Sequence, residues 1–259
     1  MHKMIKVGLL SLVASLAASA TTISFNFTTS GGTLGGSSPY GDTRTYWDPT
    51  HTYSVTASSF SLPSGLTGNF TPAQLQQYNG LGLASCNHPE EHSNCGAPEH
   101  QVDNHGSFDF VLFKFNTVLD PTGIVINPYG TDDRDVTYWI GNSSTNLSTI
   151  GLAGLAGAGF GGRIDDDSTR STNARTVSLG GGTGNELLLA ARLSGDHADR
   201  YLDYFKIESL YASTIPIPHT PPVPEPATFG LAGLALASLG LYRRRTRKSY
   251  FNKDTSCSS

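Results

Sequence analysis

Cys86 and Cys95 close the two ends of a polar stretch, Ser85-Cys86-Asn87-His88-Pro89-Glu90-Glu91-His92-Ser93-Asn94-Cys95-Gly96. Two chemistries fit these residue types. In an oxidising compartment the thiols would join as a disulfide around a small loop. Alternatively, a zinc ion would take both thiolates together with His88 and His92. Structural zinc sites bring paired cysteines about two to four residues apart. The wider spacing here favours the disulfide.

Three clusters offer oxygen ligands: His100-Gln101-Val102-Asp103-Asn104-His105 with Asp109, Thr131-Asp132-Asp133-Arg134-Asp135, and Asp165-Asp166-Asp167. Calcium takes about six to eight oxygens, which carboxylates and amide carbonyls supply. No cofactor is expected by default; calcium is the one the residues could hold, with Asp103, Asn104 and Asp109 as the candidate ligands. None of the clusters has the spacing of an EF-hand loop. Turn chemistry competes everywhere, because Asp and Asn bond their own backbone. The second cluster leads into Tyr138 and Trp139, which suit either a sugar-stacking platform or a core.

Catalysis is less well supported. Glu90, Glu91, Glu99, Asp103 and the histidines 88, 92, 100 and 105 contain the types for an acid–base pair. Two carboxylates hydrolyse glycosides only at fixed separations. The chain has neither a serine nucleophile elbow nor a His-Glu-x-x-His helix, so no catalytic residue is assigned. Gly157-Ala158-Gly159-Phe160-Gly161-Gly162 matches the dinucleotide pattern in letters only. That fingerprint needs a buried strand before it and a helix after it. Here the stretch reads as a glycine-rich loop.

The elements that would position these groups are strands. Candidates are Thr22–Thr28, His51–Phe60, Ser107–Asn116, Gly123–Ile126, Val136–Gly141, Arg175–Leu179, Glu186–Leu193 and Tyr204–Tyr211. Gln74–Tyr78 reads as one short helical turn. In Ser107–Asn116 the residues Phe108, Phe110, Leu112 and Lys114 point one way, and Asp109, Val111, Phe113 and Phe115 the other. In the last strand Phe205, Ile207, Ser209 and Tyr211 oppose Tyr204, Lys206 and Glu208. Period-two segments split by Gly, Asn, Asp and Pro turns predict an all-β fold, an antiparallel β-sandwich of jelly-roll type.

The two ends differ from this body. Lys3 and Lys6 precede an apolar run, Val7 to Ala17, and then Ala18-Ser19-Ala20. A charged start, a short apolar core and an Ala-x-Ala site predict a signal peptide over 1–20. Charged residues are 15% of the chain, against roughly 25% in ordinary soluble domains, which suits a turn-rich exported β protein. From Thr21 to Tyr242 there are 9 Lys and Arg against 20 Asp and Glu, a net charge of −11. Such a body excludes nucleic acid as a partner, because phosphates need a basic face.

Prolines 216, 218, 221, 222, 224 and 226 crowd a spacer at 214–226. Each fixes φ and removes a donor, so the spacer is extended. An uncharged apolar run follows at 227–242. As a helix it would be roughly 24 Å long, short against a bilayer core of roughly 30 Å, and is predicted as a single, weakly held transmembrane helix. Arg243, Arg244, Arg245, Arg247 and Lys248 then stop transfer and hold 243–259 in the cytoplasm. The body, 21–213, is therefore outside. Cys257 falls on the reducing side.

The order Val223-Pro224-Glu225-Pro226-Ala227, apolar helix, Arg243-Arg244-Arg245 resembles the PEP-CTERM sorting signal of Gram-negative bacteria. The resemblance covers about the last 35 residues. It implies export, recognition of Pro224, Glu225 and Pro226 by an exosortase in the membrane, cutting near the motif, and delivery to the surface or the biofilm matrix, with exopolysaccharide as a neighbour. The stretch after the basic run, Ser249 to Ser259, is longer than usual for the family. The His100-Gln101-Val102-Asp103-Asn104 stretch and the strand layout are also similar to ectodomains that accompany this tail. The expected function is a noncatalytic surface or matrix protein, with a carbohydrate- or calcium-binding module as the alternative and a secreted hydrolase as the third reading.

Overall fold

The computed structural model describes residues 20–29, 32–35, 40–86, 101–128, 130, 133–193 and 202–215. The predicted signal peptide (but for Ala20), the spacer beyond Ile215 with its sorting motif, the apolar run and the basic cluster fall outside them, as does Cys95. Among the described residues no helix is long and apolar enough to cross a membrane. These residues carry β1 (Thr22–Asn26), β2 (Thr33–Gly35), β3 (Thr43–Trp47), β4 (Ser54–Pro63), β5 (Thr71–Pro72), β6 (Gln74–Tyr78), β7 (Gly82–Cys86), β8 (Val102–Asp103), β9 (Ser107–Pro128), β10 (Val136–Gly141), β11 (Ile164–Asp166), β12 (Arg175–Ser178), β13 (Gly184–Ala191) and β14 (Tyr204–Ser213). The all-β expectation holds, and the named strands pair antiparallel.

One strand organises both layers. The segments expected as two strands, Ser107–Asn116 and Gly123–Ile126, are a single 22-residue strand, β9. Its first half pairs with β4 on one side and β13 on the other, and β3 and β10 extend that layer. Its second half crosses to the other layer, between β14 and β12. Along its free edge β14 meets β8, then β7, then β1.

The alternation in β9 sorts its side chains into two cores. Val111, Phe113 and Phe115 join Phe25, Phe27, Ile124, Ile126, Phe205 and Ile207 between the layers. Phe27 stacks on Phe113 at 5.4 Å, and Phe25 lies 6.2 Å from Phe115. Phe110 and Leu112 face outward into a second core with Phe60, Phe70, Trp139, Leu155 and Phe160. The predicted loop at 157–162 helps to cover this outer face, and Phe160 is buried in it. Each such side chain contributes about 1.5–3 kcal/mol relative to exposure.

Two local expectations are corrected. Gln74–Tyr78 is a strand, paired with β7, because the neighbouring edge supplies the partners its backbone needs. In β14 a bulge between Ile207 and Ser209 shifts the pairing. Leu210 and Ala212 therefore continue the core face, and Ser209 and Tyr211 do not. For Tyr138 and Trp139 the core reading holds over the sugar platform, because they are 2% and 4% exposed.

Candidate cation site

Asp203 stands immediately before β14, where the two layers meet. Its neighbours are drawn in by backbone pairing. Asp133 and Asp203 form a parallel bridge, in which the Asp133 N–H donates to the Leu202 carbonyl at 3.2 Å and the Tyr204 N–H to the Asp133 carbonyl at 3.3 Å. β8 pairs beside them and brings Asn104. The Asn104 Nδ2 donates to Asp203 Oδ2 at 2.7 Å and to the Arg192 carbonyl at 3.1 Å. The Asp203 N–H returns a bond to Asn104 Oδ1 at 3.0 Å. The Asp135 N–H donates to Asp203 Oδ1 at 2.8 Å.

Asp133, Asp135 and Asp203 are 0%, 4% and 2% exposed. One oxygen from each lies within 4.8 Å of the others. Each carboxylate has backbone support. Arg134 N–H donates to Asp133 at 2.8 Å, and Ser168 N–H donates to Asp135. The Arg134 guanidinium donates to the carbonyls of Thr169 and Asn173, which ties the 168–173 loop over the site. Burial raises the Asp203 pKa to about 8; the negative charges of Asp135 and Asp133 add to the rise, and the bonds from Asp135 N–H and Asn104 oppose it. Three carboxylates this close have two stable options. They share a proton, or they hold a hard cation whose charge replaces it.

The predicted ligands are dispersed. Asn104 touches Asp203, as above. Asp103 is buried on β8 and accepts the His105 N–H at 3.0 Å. Asp109 is buried on β9, in register with Ser61 of β4. The carboxylates within ligand distance come from the second predicted cluster, Asp133 and Asp135, and from Asp203. A lone Asp in Leu202-Asp203-Tyr204 gives no linear signal, because its partners lie about 70 and 99 residues away. The third cluster is occupied by arginines: Asp165 pairs with Arg163 at 2.9 Å, Asp166 with Arg175, and Asp167 with Arg192.

Cys86 is 2% exposed and disulfide-bonded, while Cys95 and Cys257 lie outside the described residues. Pro224, Glu225, Pro226, Arg243, Arg244, Arg245, Arg247 and Lys248 lie outside them too, and there the sequence itself carries the site.

A comparison with the curated proteins finds no match. The family model described as the PEP-CTERM protein-sorting motif matches residues 222–248, which span the Pro-Glu-Pro entry, the apolar run and the basic cluster. This chain therefore carries a PEP-CTERM sorting motif, the signal that directs a protein towards the cell surface through the exosortase system.

Proposed function

We propose that the chain is a noncatalytic surface or matrix protein of a Gram-negative bacterium, exported by its signal peptide and processed by an exosortase at the Pro224-Glu225-Pro226 motif. The observation that carries this reading is the match of 222–248 to the sorting motif. The two prolines limit the entropy a binding groove must overcome, and Glu225 offers one anionic handle. The short apolar run at 227–242 then serves as a temporary anchor, and the β body 21–213 is the delivered cargo. A disulfide between Cys86 and Cys95 suits that oxidising destination, and the bonded state of Cys86 supports it.

A hollow of about 270 Å³ beside β1 and β14 is lined in part by Glu208, whose carboxylate accepts the Asn127 amide at 2.6 Å. The experiment is Glu225→Ala expressed in the native host. The variant should accumulate unprocessed in the membrane fraction, and normal processing would overturn the reading.

A second reading adds a divalent cation, with calcium the hard ion such oxygens prefer. It is favoured by the buried convergence of Asp133, Asp135 and Asp203. Its role would be structural, because the site joins the entry of β10 in one layer to the entry of β14 in the other.

A further inference from the structure

Trp47, the last residue of β3, is 47% exposed, whereas Trp139 is 4% exposed. A large aromatic ring left half in water is a ring available for contact. The turn that follows holds it firmly. Asp48 is 4% exposed and accepts the N–H groups of Thr50 at 3.0 Å, Thr52 at 2.9 Å and Tyr53 at 2.7 Å, with the Thr50 hydroxyl as a fourth donor. His51 N–H returns to the Asp48 carbonyl at 2.9 Å. His51 itself sits at φ 55°, a conformation that costs energy in a residue other than glycine. The result is a fixed pair of rings, with centroids 6.1 Å apart and planes at 31°.

Strand register extends this surface. Thr45 lies two residues before Trp47 and so shares its face. Thr45 is opposite Thr56, Thr56 opposite Lys114, and Lys114 opposite Glu186. These four form one polar row across β3, β4, β9 and β13. The hydroxyls of Thr45 and Thr56 are 2.9 Å apart. The Lys114 ammonium lies 2.9 Å from the Glu186 carboxylate, and its side chain is 42% exposed. Strand spacing puts Lys114 on the order of 12 Å from Trp47, farther than one sugar ring spans.

We propose that this face binds a neutral polysaccharide. The Trp47 indole stacks on the apolar CH face of one sugar ring. Hydroxyls of the neighbouring rings bond to Thr45, Thr56 and Lys114. Charge selects a neutral chain: Glu186 already balances Lys114, and residues 21–242, carrying −11, repel polyanions. A protein partner would need a buried apolar patch at the centre of its interface, and this row offers hydroxyls. The inference uses the export reading only for access to extracellular glycan; binding in vitro is independent of sorting.

The test uses the exported protein purified from its host. It is run through native gels containing dextran, galactomannan or a soluble β-glucan, with alginate as the polyanion. At least one neutral gel should retard it, and the same glycan should perturb the emission of the exposed tryptophan. Trp47→Ala should weaken binding by roughly tenfold or more while the buried Trp139 emission persists as a check on folding. Thr56→Val, which keeps shape and removes a hydroxyl, should weaken it a few-fold. Absence of retardation in every neutral gel, retardation by alginate alone, or full binding by folded Trp47→Ala would each overturn the proposal. Failure of the Glu225→Ala test would leave these results unchanged, so the two readings fail separately.

Discussion

Asn104 and Asp203 exchange two hydrogen bonds, Nδ2 to Oδ2 at 2.7 Å and backbone N–H to Oδ1 at 3.0 Å, although 99 residues separate them. The pair clamps the β8 edge to the entry of β14. It also fixes the Asp203 carboxylate beside Asp133 and Asp135.

That position sets a pH dependence. Asp203 titrates near pH 8, because burial, aided by the charges of Asp135 and Asp133, favours its neutral form. The folded protein therefore holds a proton that the unfolded chain releases near about 3.9. The stabilisation is full below that unfolded value and fades as pH climbs through about 8. Urea unfolding in EDTA should show stability falling between pH 5 and pH 8, by on the order of 3 kcal/mol. Asp203→Asn should be less stable than the native protein at pH 5, since in either orientation its amide nitrogen meets a donor, the Asn104 amide or the Asp135 N–H. Its stability should lose the decline from pH 5 to pH 8, and a curve parallel to the native one would contradict the assignment.

A cation and that proton compete for the same oxygens. Calcium should raise the melting temperature at pH 8 more than at pH 5, where the proton is harder to displace. At a hundredfold excess over the dissociation constant the gain is about 2.7 kcal/mol. Asp133→Asn and Asp135→Asn should each reduce the response at pH 8. An equal response in both variants would place the bound cation elsewhere, and none in the native protein would remove the second reading.

Lys206 presents the reverse case. It is 6% exposed on β14, with its ammonium 5.2 Å from the centre of the Tyr78 ring. Burial lowers its pKa to about 8. At neutral pH the fold carries a charge it would rather lose. Stability due to this residue should rise as pH passes from about 8 to about 10.4, the unfolded value. Lys206→Met keeps the length and removes the charge. It should be more stable by about 1 kcal/mol at pH 7, with little of that rise left. Calorimetry across pH 7–10 measures both effects, and a destabilised Met variant would show that the ring contact outweighs the burial cost.

Some of this molecule is legible from the chain and some is not. The sorting tail is, because its parts are contiguous and act as sequence. The two faces of β9 are also legible, since Phe110 and Phe113 alternate without interruption. Beyond that strand the signal weakens for physical reasons. β5 and β8 have two residues each, too few to show a period. Gln-Leu-Gln-Gln-Tyr at 74–78 suits helix or strand, and its β7 edge decides. One bulge in β14 turns Leu210 inward. Trp47 looks like any strand aromatic until its exposure is known, and the triad becomes a site only when Asp203 returns beside Asp133.

Gly82 offers the most direct test of the fold itself. It opens β7 at φ 105°, and a Cβ there would lie 2.2 Å from the Ile207 carbonyl oxygen and 2.6 Å from its carbon. Both atoms belong to the β14 backbone, which cannot yield without breaking its pairing. Gly82→Ala should therefore cost about 3 kcal/mol or more, combining backbone strain with overpacking. Gly68 has a similar φ of 85° and nothing within 4 Å of its missing Cβ. Gly68→Ala isolates the strain and should cost about 1 kcal/mol. The difference between the two melting curves measures how tightly β7 sits on β14. Equal losses would mean that the strands are not in contact at Gly82.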